Sequence, residues 1–325
     1  MKKLKTIINL GLFVFILLNI NSLTAKDIKC DYCEKDISGK YVILDGKNYH
    51  QECYNEHIKP RCAACGRVID GEYNYDKNGK YHPRCYKNHI LPKCSVCSKP
   101  LEGEYLIDPW GNQYHSHHKH KNSNCSVCNR ILSEKTSKGS HRVGDRIICG
   151  YCSEHAITND GQFELREIKI KELFARQAGI RNIPDDIQFV LLSKQKDLNK
   201  IANTRGDKIK GFTKYEARTL GNHRVSRNYK IYVLSHLPQV VFDAVLAHEL
   251  LHVYLFENEI SLSTAETEGF CNLGSDLIYR NDHSELARQK LQNMQEDPDP
   301  DYGKGYRMMK GRLDQQGWKA LLKSF

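Results

Sequence analysis

Twelve of the thirteen cysteines in this 325-residue chain lie between residues 26 and 155, and their spacing constrains the fold more than any other feature. Side chains that bind metals recur there with a period of about 32 residues. The first unit is Cys30, Cys33, His50 and Cys53. The second is Cys62, Cys65, His82 and Cys85, with the same sixteen-residue gap between its ligand pairs. Cys94, Cys97, His115 and His118 make the third, and Cys125, Cys128, Cys149 and Cys152 the fourth. Short hairpin-like stretches lie between the pairs, one with Asn78-Gly79 as its expected turn. Such units are too short to bury a core of their own, so metal binding has to supply most of their folding free energy.

A disulfide framework would also use many cysteines, and the chain carries an export-like leader that would suit one. Position argues for zinc, because a disulfide needs no histidine, yet His50, His82 and His115 recur where a third tetrahedral ligand belongs. His57, His89, His117, His120 and His155 are spare histidines that could replace one of these ligands; a surface location suits them.

The leader is read from Lys2, Lys3 and Lys5 ahead of an apolar run at residues 7–20, followed by Ser22-Leu23-Thr24-Ala25. That layout predicts a secretory signal over residues 1–25, hence a periplasmic or secreted protein; an uncleaved segment anchoring the chain in a membrane is the alternative. The formal charge of +10 falls to +7 without the leader lysines. Residues 26–155 hold 21 basic against 16 acidic side chains, and twelve thiolates on four zinc ions would bring that half to about +1. No basic stripe remains for nucleic acid, so none is expected as a partner.

The C-terminal half holds a different metal signature. Residues 241–259 read VFDAVLAHELLHVYLFENE, an uninterrupted apolar stretch with His248, Glu249 and His252 in the order H-E-x-x-H. Four residues apart on a helix, both imidazoles face one zinc ion, and Glu249 stands beside the water that ion activates. A catalytic zinc keeps three protein ligands and one open position. Glu268 follows sixteen residues after His252 in what reads as a second helix, with Glu266 also at a plausible distance. Ahead of them, residues 163–178 read as a helix stopped by Gly179, and residues 187–193 and 229–235 as strands. The strand nearest the metal helix is suited to hold an extended substrate by backbone pairing.

Two resemblances sharpen these expectations. The spacing C-x2-C-x16-H-x2-C resembles that of LIM domains, which are paired zinc fingers that bind proteins. LIM pairs leave two residues between the fourth ligand and the next C-x2-C, whereas eight separate Cys53 from Cys62 and Cys85 from Cys94. LAHELLH, followed by EGFCN, preceded by YVLSHLP and followed by DYGKGYR, resembles the LIM-bearing plant zinc metallopeptidases that are activated by ubiquitin and limit organ growth. This likeness is strongest over residues 210–325. It implies a gluzincin-type site with His248, His252 and Glu268 as ligands and Glu249 as base; Glu268 is chosen over Glu266 because Glu268-Gly269-Phe270-Cys271 matches the family's E-G-x-C. The plant proteins carry ubiquitin-interacting helices, and no such helix is read here.

The expected architecture is therefore α+β: small treble-clef or LIM-like zinc fingers over residues 26–155, then a gluzincin-type metallopeptidase domain over 160–325 with a small sheet and an H-E-x-x-H helix. One catalytic and about four structural zinc ions are implied. The expected function is a zinc endopeptidase acting on protein or peptide, its fingers recruiting a protein partner or covering the cleft. Tyr254, His223, Tyr279 and Tyr306 are open as donors to an oxyanion. The competing class is a non-catalytic zinc-finger adaptor with a peptidase-like domain.

Overall fold

The computed structural model describes residues 2–5, 28–121, 123–220 and 223–325. The apolar leader run lies outside the described residues; Lys2–Lys5 pairs antiparallel with Glu104–Ile107. The protein is mixed α and β, with small sheets and several Cys/His clusters. It forms two compact units, Met1–His120 and Lys121–Phe325.

The first unit repeats one local device three times. The Cys30 N–H donates to the Lys35 carbonyl at 2.9 Å, and the Glu34 N–H returns to the Cys30 carbonyl at 2.8 Å. Cys62 repeats the pattern with Arg67 and Gly66, and Cys94 with Lys99 and Ser98. The residue after each second cysteine turns left-handed, with φ of 61° at Glu34, 72° at Gly66 and 61° at Ser98. That reversal brings both thiols of each C-x2-C to one side. Antiparallel hairpins follow, Tyr41–Leu44 with Lys47–His50, Asn74–Asp76 with Gly79–Tyr81, and Glu104–Ile107 with Gln113–His115. Each delivers a histidine at its exit: His50 and His115 end their second strands, and His82 directly follows Tyr81. In the middle hairpin the loop residues are Lys77 and Asn78, one position earlier than expected, because Gly79 already pairs with Asp76. The apolar cores here are small: Val42 and Tyr49 beside Cys30, and Ile69, Tyr81, Tyr86 and Leu91 beside Cys62.

The second unit begins with the fourth cysteine cluster, which repeats the knuckle through Cys125, Arg130 and Asn129. Helix α1, Asp160–Leu173, is capped by the Asn159 side chain, and its extension stops at Gly179 with φ 73°. A three-stranded sheet follows, ordered β1 (Gln188–Leu192), β3 (His223–Leu234), β2 (Gly211–Leu220). β1 runs parallel and β2 antiparallel to β3. Helix α2, Gln195–Ile201, connects β1 to the loop leading into β2. The strand preceding the metal helix is thus central, with both edges occupied. Among the described residues the sheet's edges are β1 and β2, and β2 is the one that lines the cleft, so the expected backbone pairing with a substrate cannot use β3.

Helix α3, Gln239–Glu257, carries the H-E-x-x-H pattern and is the buried spine of this unit. Val241, Phe242, Leu246, Leu250 and Val253 are all at most 3% exposed. At about 25 cal/mol per Å² of apolar surface, such residues each contribute roughly 2 kcal/mol before entropy is counted. Helix α4, Thr264–Asn281, packs along it. Gly274 permits this contact, since a Cβ there would sit 2.9 Å from the Ala247 carbonyl oxygen. α5 (Glu285–Glu296) and α6 (Gly305–Lys323) complete the unit.

Candidate metal centres and the cleft beside the helical one

Five sets of side chains converge in the described residues. Four are the Cys/His sets expected from the repeat, and each brings its ligand atoms within 4.8 Å of one another. The third set uses His118, while His117 packs beside it with ring centroids 4.3 Å apart. In the first three sets the histidine orientation is fixed from behind. His50 Nε2 lies 3.1 Å from the Asp36 carbonyl, His82 Nε2 3.0 Å from that of Val68, and His115 Nε2 3.1 Å from that of Pro100. Nδ1 faces the thiols, 3.3 Å from Cys33 Sγ in the first set and 3.5 Å from Cys65 Sγ in the second. A carbonyl accepting the Nε2 proton leaves Nδ1 as the lone-pair donor, the usual outer support of a metal-bound imidazole.

The thiols themselves call for a cation. Burial pushes Cys30 up, but the backbone N–H groups of Cys33, His50 and Tyr32 more than offset it and hold the thiol at about 6. Burial and the sulfurs of Cys33 and Cys30 push Cys53 to about 11. Cys62 and Cys85 divide in the same way. Thiols this close cannot all ionise alone, whereas a bound Zn²⁺ stabilises every thiolate at once.

The fifth set is His248, His252 and Cys271, on α3 and α4, with the Glu268 carboxylate beside the two imidazoles. His248 Nε2 and His252 Nε2 are 3.2 Å apart. Glu268 Oε2 lies 3.2 Å from the first and 3.8 Å from the second. Atoms bound to one tetrahedral zinc at about 2.0–2.1 Å are separated by roughly 3.3 Å, so this triangle fits the ion. Glu268 Oε2 is also buried without a hydrogen-bond donor, a position a cation would satisfy. Behind the triangle, His248 Nδ1 donates to Asn272 Oδ1 at 3.0 Å, and the Asn272 amide donates to the Tyr302 carbonyl at 3.1 Å. Tyr302 also stacks on His248 at 20° between ring planes.

Glu249, on the same helix, reaches β2 and lines the same cleft as the triangle. The Thr213 hydroxyl lies 2.7 Å from Glu249 Oε2 and 3.1 Å from its backbone carbonyl. Burial raises the Glu249 carboxyl to about 7, against the opposing pull of His248 and Thr213. Burial also lowers His252, to about 4, and His248 adds to that effect. Burial opposes ionisation of Glu268 as well, but His248 and His252 prevail and its carboxyl is lowered. Gly211 is obligatory here, because a Cβ would meet Val245 at 2.6 Å and the Glu249 carboxylate at 2.7 Å.

Glu266 faces elsewhere. It closes a capping box with Ser263 at the start of α4 and pairs with Arg312 at 3.1 Å. Cys271, one helical turn beyond Glu268, enters the sequence expectations only as part of the E-G-x-C match, yet its sulfur lies within 4.8 Å of both metal-facing histidines. Burial, then Glu268 and Glu249, hold that thiol well above its ordinary range, so it is neutral. Position i+3 from Glu268 was the available signal for it.

A cleft of about 870 Å³ opens on His248, Glu249, His252 and Glu268. β2 contributes Gly211, Phe212 and Thr213 to its wall. Of the tyrosines expected as oxyanion donors, Tyr279 lines this cleft. Tyr254 packs toward Phe270, Tyr306 bonds Asp276 at 2.5 Å, and the side chain of His223 lies outside the described residues. Tyr302 lines the cleft too; it stands in the DYGKGYR stretch that carried the resemblance but was not among the expected donors. Compared with known protein families and with curated proteins, the sequence matches none.

Proposed function

We propose that this chain is a zinc-dependent endopeptidase of the gluzincin type, exported from the cell, with the first three fingers presenting a protein partner or substrate. The observation that carries this reading is the convergence of His248, His252 and Glu268 beside a buried Glu249, opening on a cleft. Zinc bound there would supply a Lewis acid that polarises a carbonyl and brings the pKa of water towards about 7. Glu249 takes the proton from the attacking water and returns it to the leaving amine. Thr213 fixes the Glu249 carboxylate for that transfer. Asn272 fixes the tautomer of His248. The free edge of β2 offers backbone groups to an extended peptide, with Phe212 and Phe256 supplying apolar wall.

The test is Glu249→Gln in the full chain, assayed on unfolded protein substrates alongside zinc analysis. Loss of cleavage by several orders of magnitude with zinc unchanged is the expected result. Full activity in the purified variant would remove the mechanism.

The adaptor reading keeps one specific support, the proximity of Cys271 to both histidines. If its sulfur completed the coordination, no position would be left for water. The difference in zinc X-ray absorption between the wild type and Cys271→Ser separates the readings: loss of a zinc–sulfur contribution at unchanged zinc content favours the adaptor, and an unchanged shell favours the peptidase.

A further inference from the structure

We propose that the four-cysteine centre at Cys125, Cys128, Cys149 and Cys152 is the clamp of the cleft, so that its metal occupancy controls the shape of the site. Calling that site catalytic rests on the reading above. The four thiols are all buried, whereas each of the first three sets contains partly exposed ligands. They also belong to the unit of the metal helix, Lys121–Phe325, and not to that of the other three sets.

Three structural links run from this centre to the cleft wall. The first leaves the hairpin Ser140–Val143 with Arg146–Cys149, whose strands lie between Cys128 and Cys149. At its turn, Asp145 accepts the N–H groups of Gln195 and Lys196 at 2.8 and 3.0 Å, at the start of α2. Arg146, 4% exposed, donates to the Ser193 carbonyl at 3.2 Å and to that of Ser235 at 2.7 Å. Gly144 sits so close that a Cβ would meet the Ser193 carbonyl at 2.6 Å. α2 leads directly into residues 202–213, many of which line the cleft.

The second link is Lys290 of α5, whose ammonium donates to the Val127 carbonyl, inside the C-x2-C knuckle, at 2.6 Å. Lys290, Asn293 and Met294 line the cleft. The third follows Cys152: Ala156 and Ile157 pair with Pro238 and Leu237, immediately ahead of α3. The segments around the centre therefore contact the start of α2, helix α5 and the residues just ahead of α3.

Charge supports the same conclusion. A zinc tetrathiolate carries −2; burial lowers Arg146, Lys210 and Lys290, and the cysteines' negative charge partly opposes that lowering in each. Lys210 and Lys290 are cleft-wall residues with no carboxylate within ion-pair distance among the described residues. Removing the ion lets the buried thiols reprotonate and removes the crosslink between the Cys125–Cys128 knuckle and the Cys149–Cys152 segment.

The experiment compares full-length wild type with Cys128→Ser, Lys290→Met and, as a control in the first set, Cys33→Ser. Zinc content, hydrogen exchange and peptide cleavage are measured on each. Cys128→Ser is expected to lose one zinc, to speed exchange at least tenfold in residues 195–213 and 285–296, and to lower cleavage at least tenfold. Cys33→Ser is expected to lose one zinc and leave those segments unchanged. Unchanged exchange in both segments of Cys128→Ser, or equal changes in Cys33→Ser, overturns the proposal. If Cys128→Ser unfolds throughout, Lys290→Met decides, because all ligands are intact. Faster exchange in residues 285–296 at unchanged zinc content supports the clamp, and wild-type exchange there overturns it. Exchange answers the question even if the wild type cleaves no peptide, which keeps this failure separate from that of the peptidase reading.

Discussion

The hydroxyl of Thr213 on the free edge strand lies 2.7 Å from the carboxylate of Glu249 on the metal helix. One hydrogen bond therefore ties the strand suited to a substrate to the group suited to move its proton. Thr213→Val keeps the shape and removes the donor. The expected result is a fall in kcat of about ten- to a hundredfold with KM little changed, since positioning acts on the transition state. Thr213→Ser should restore most of the rate. A change confined to KM would show that Thr213 contacts substrate and does not orient the base.

Glu266 and Glu268 are two residues apart and do different work. Glu268 faces the two imidazoles, and Glu266 caps its own helix and meets Arg312. Glu268→Ala should remove one zinc ion and all cleavage while the cysteine-bound zinc stays. Glu266→Ala should keep the zinc and cost about 1 kcal/mol in a denaturant titration, the usual loss for a helix cap. Zinc loss in the Glu266 variant with retention in the Glu268 variant would reverse the assignment.

About five zinc ions per chain are expected, four on cysteine-containing sets and one on the helix pair. Acidification should release the metal, because each thiolate must be reprotonated as its ion leaves. Elemental analysis with thiol titration measures both quantities. Two zinc ions or fewer, with the cysteines in disulfides, would show that the repeat serves as a covalent framework.

Lys210 gives a pH dependence of stability whose sign is unambiguous. Burial lowers its ammonium from 10.5 to about 8, while Asp207 partly opposes the change. The charged form is thus disfavoured in the folded chain. Its cost is fully present below pH 8 and disappears as pH rises from about 8 to 10.5, where the unfolded lysine also loses its proton. Lys210→Met should be more stable than the wild type at pH 7, with the gain vanishing near pH 10.5. Urea midpoints at both pH values measure this, and a gain independent of pH would attribute it to packing alone.

Much of this protein was legible in the sequence because its chemistry is local. A C-x2-C knuckle needs only a short hydrogen-bonded turn, so the four sets were readable from spacing. His248 and His252 share a helix face by their four-residue separation, which follows from the helical repeat. Gly179 ended its helix as expected because its left-handed φ is cheap only for glycine.

What tertiary structure decided depends on contacts between distant segments. No local pattern distinguishes a central strand from an edge strand, since that depends on partners elsewhere; β3 proved central, and β2 proved to be the edge that lines the cleft. Thr213 and Asn272 gain their roles only because β2 and α4 pack against α3, 36 and 24 residues away along the chain. Which nitrogen of His50, His82 and His115 faces the thiols was set by a carbonyl fourteen or fifteen residues before it. The fourth cysteine set shares its spacing logic with the others, yet Arg146 and Lys290 bind it to the metal-helix unit. Spacing along the chain specifies which side chains can meet one ion; only packing specifies what that ion then holds in place.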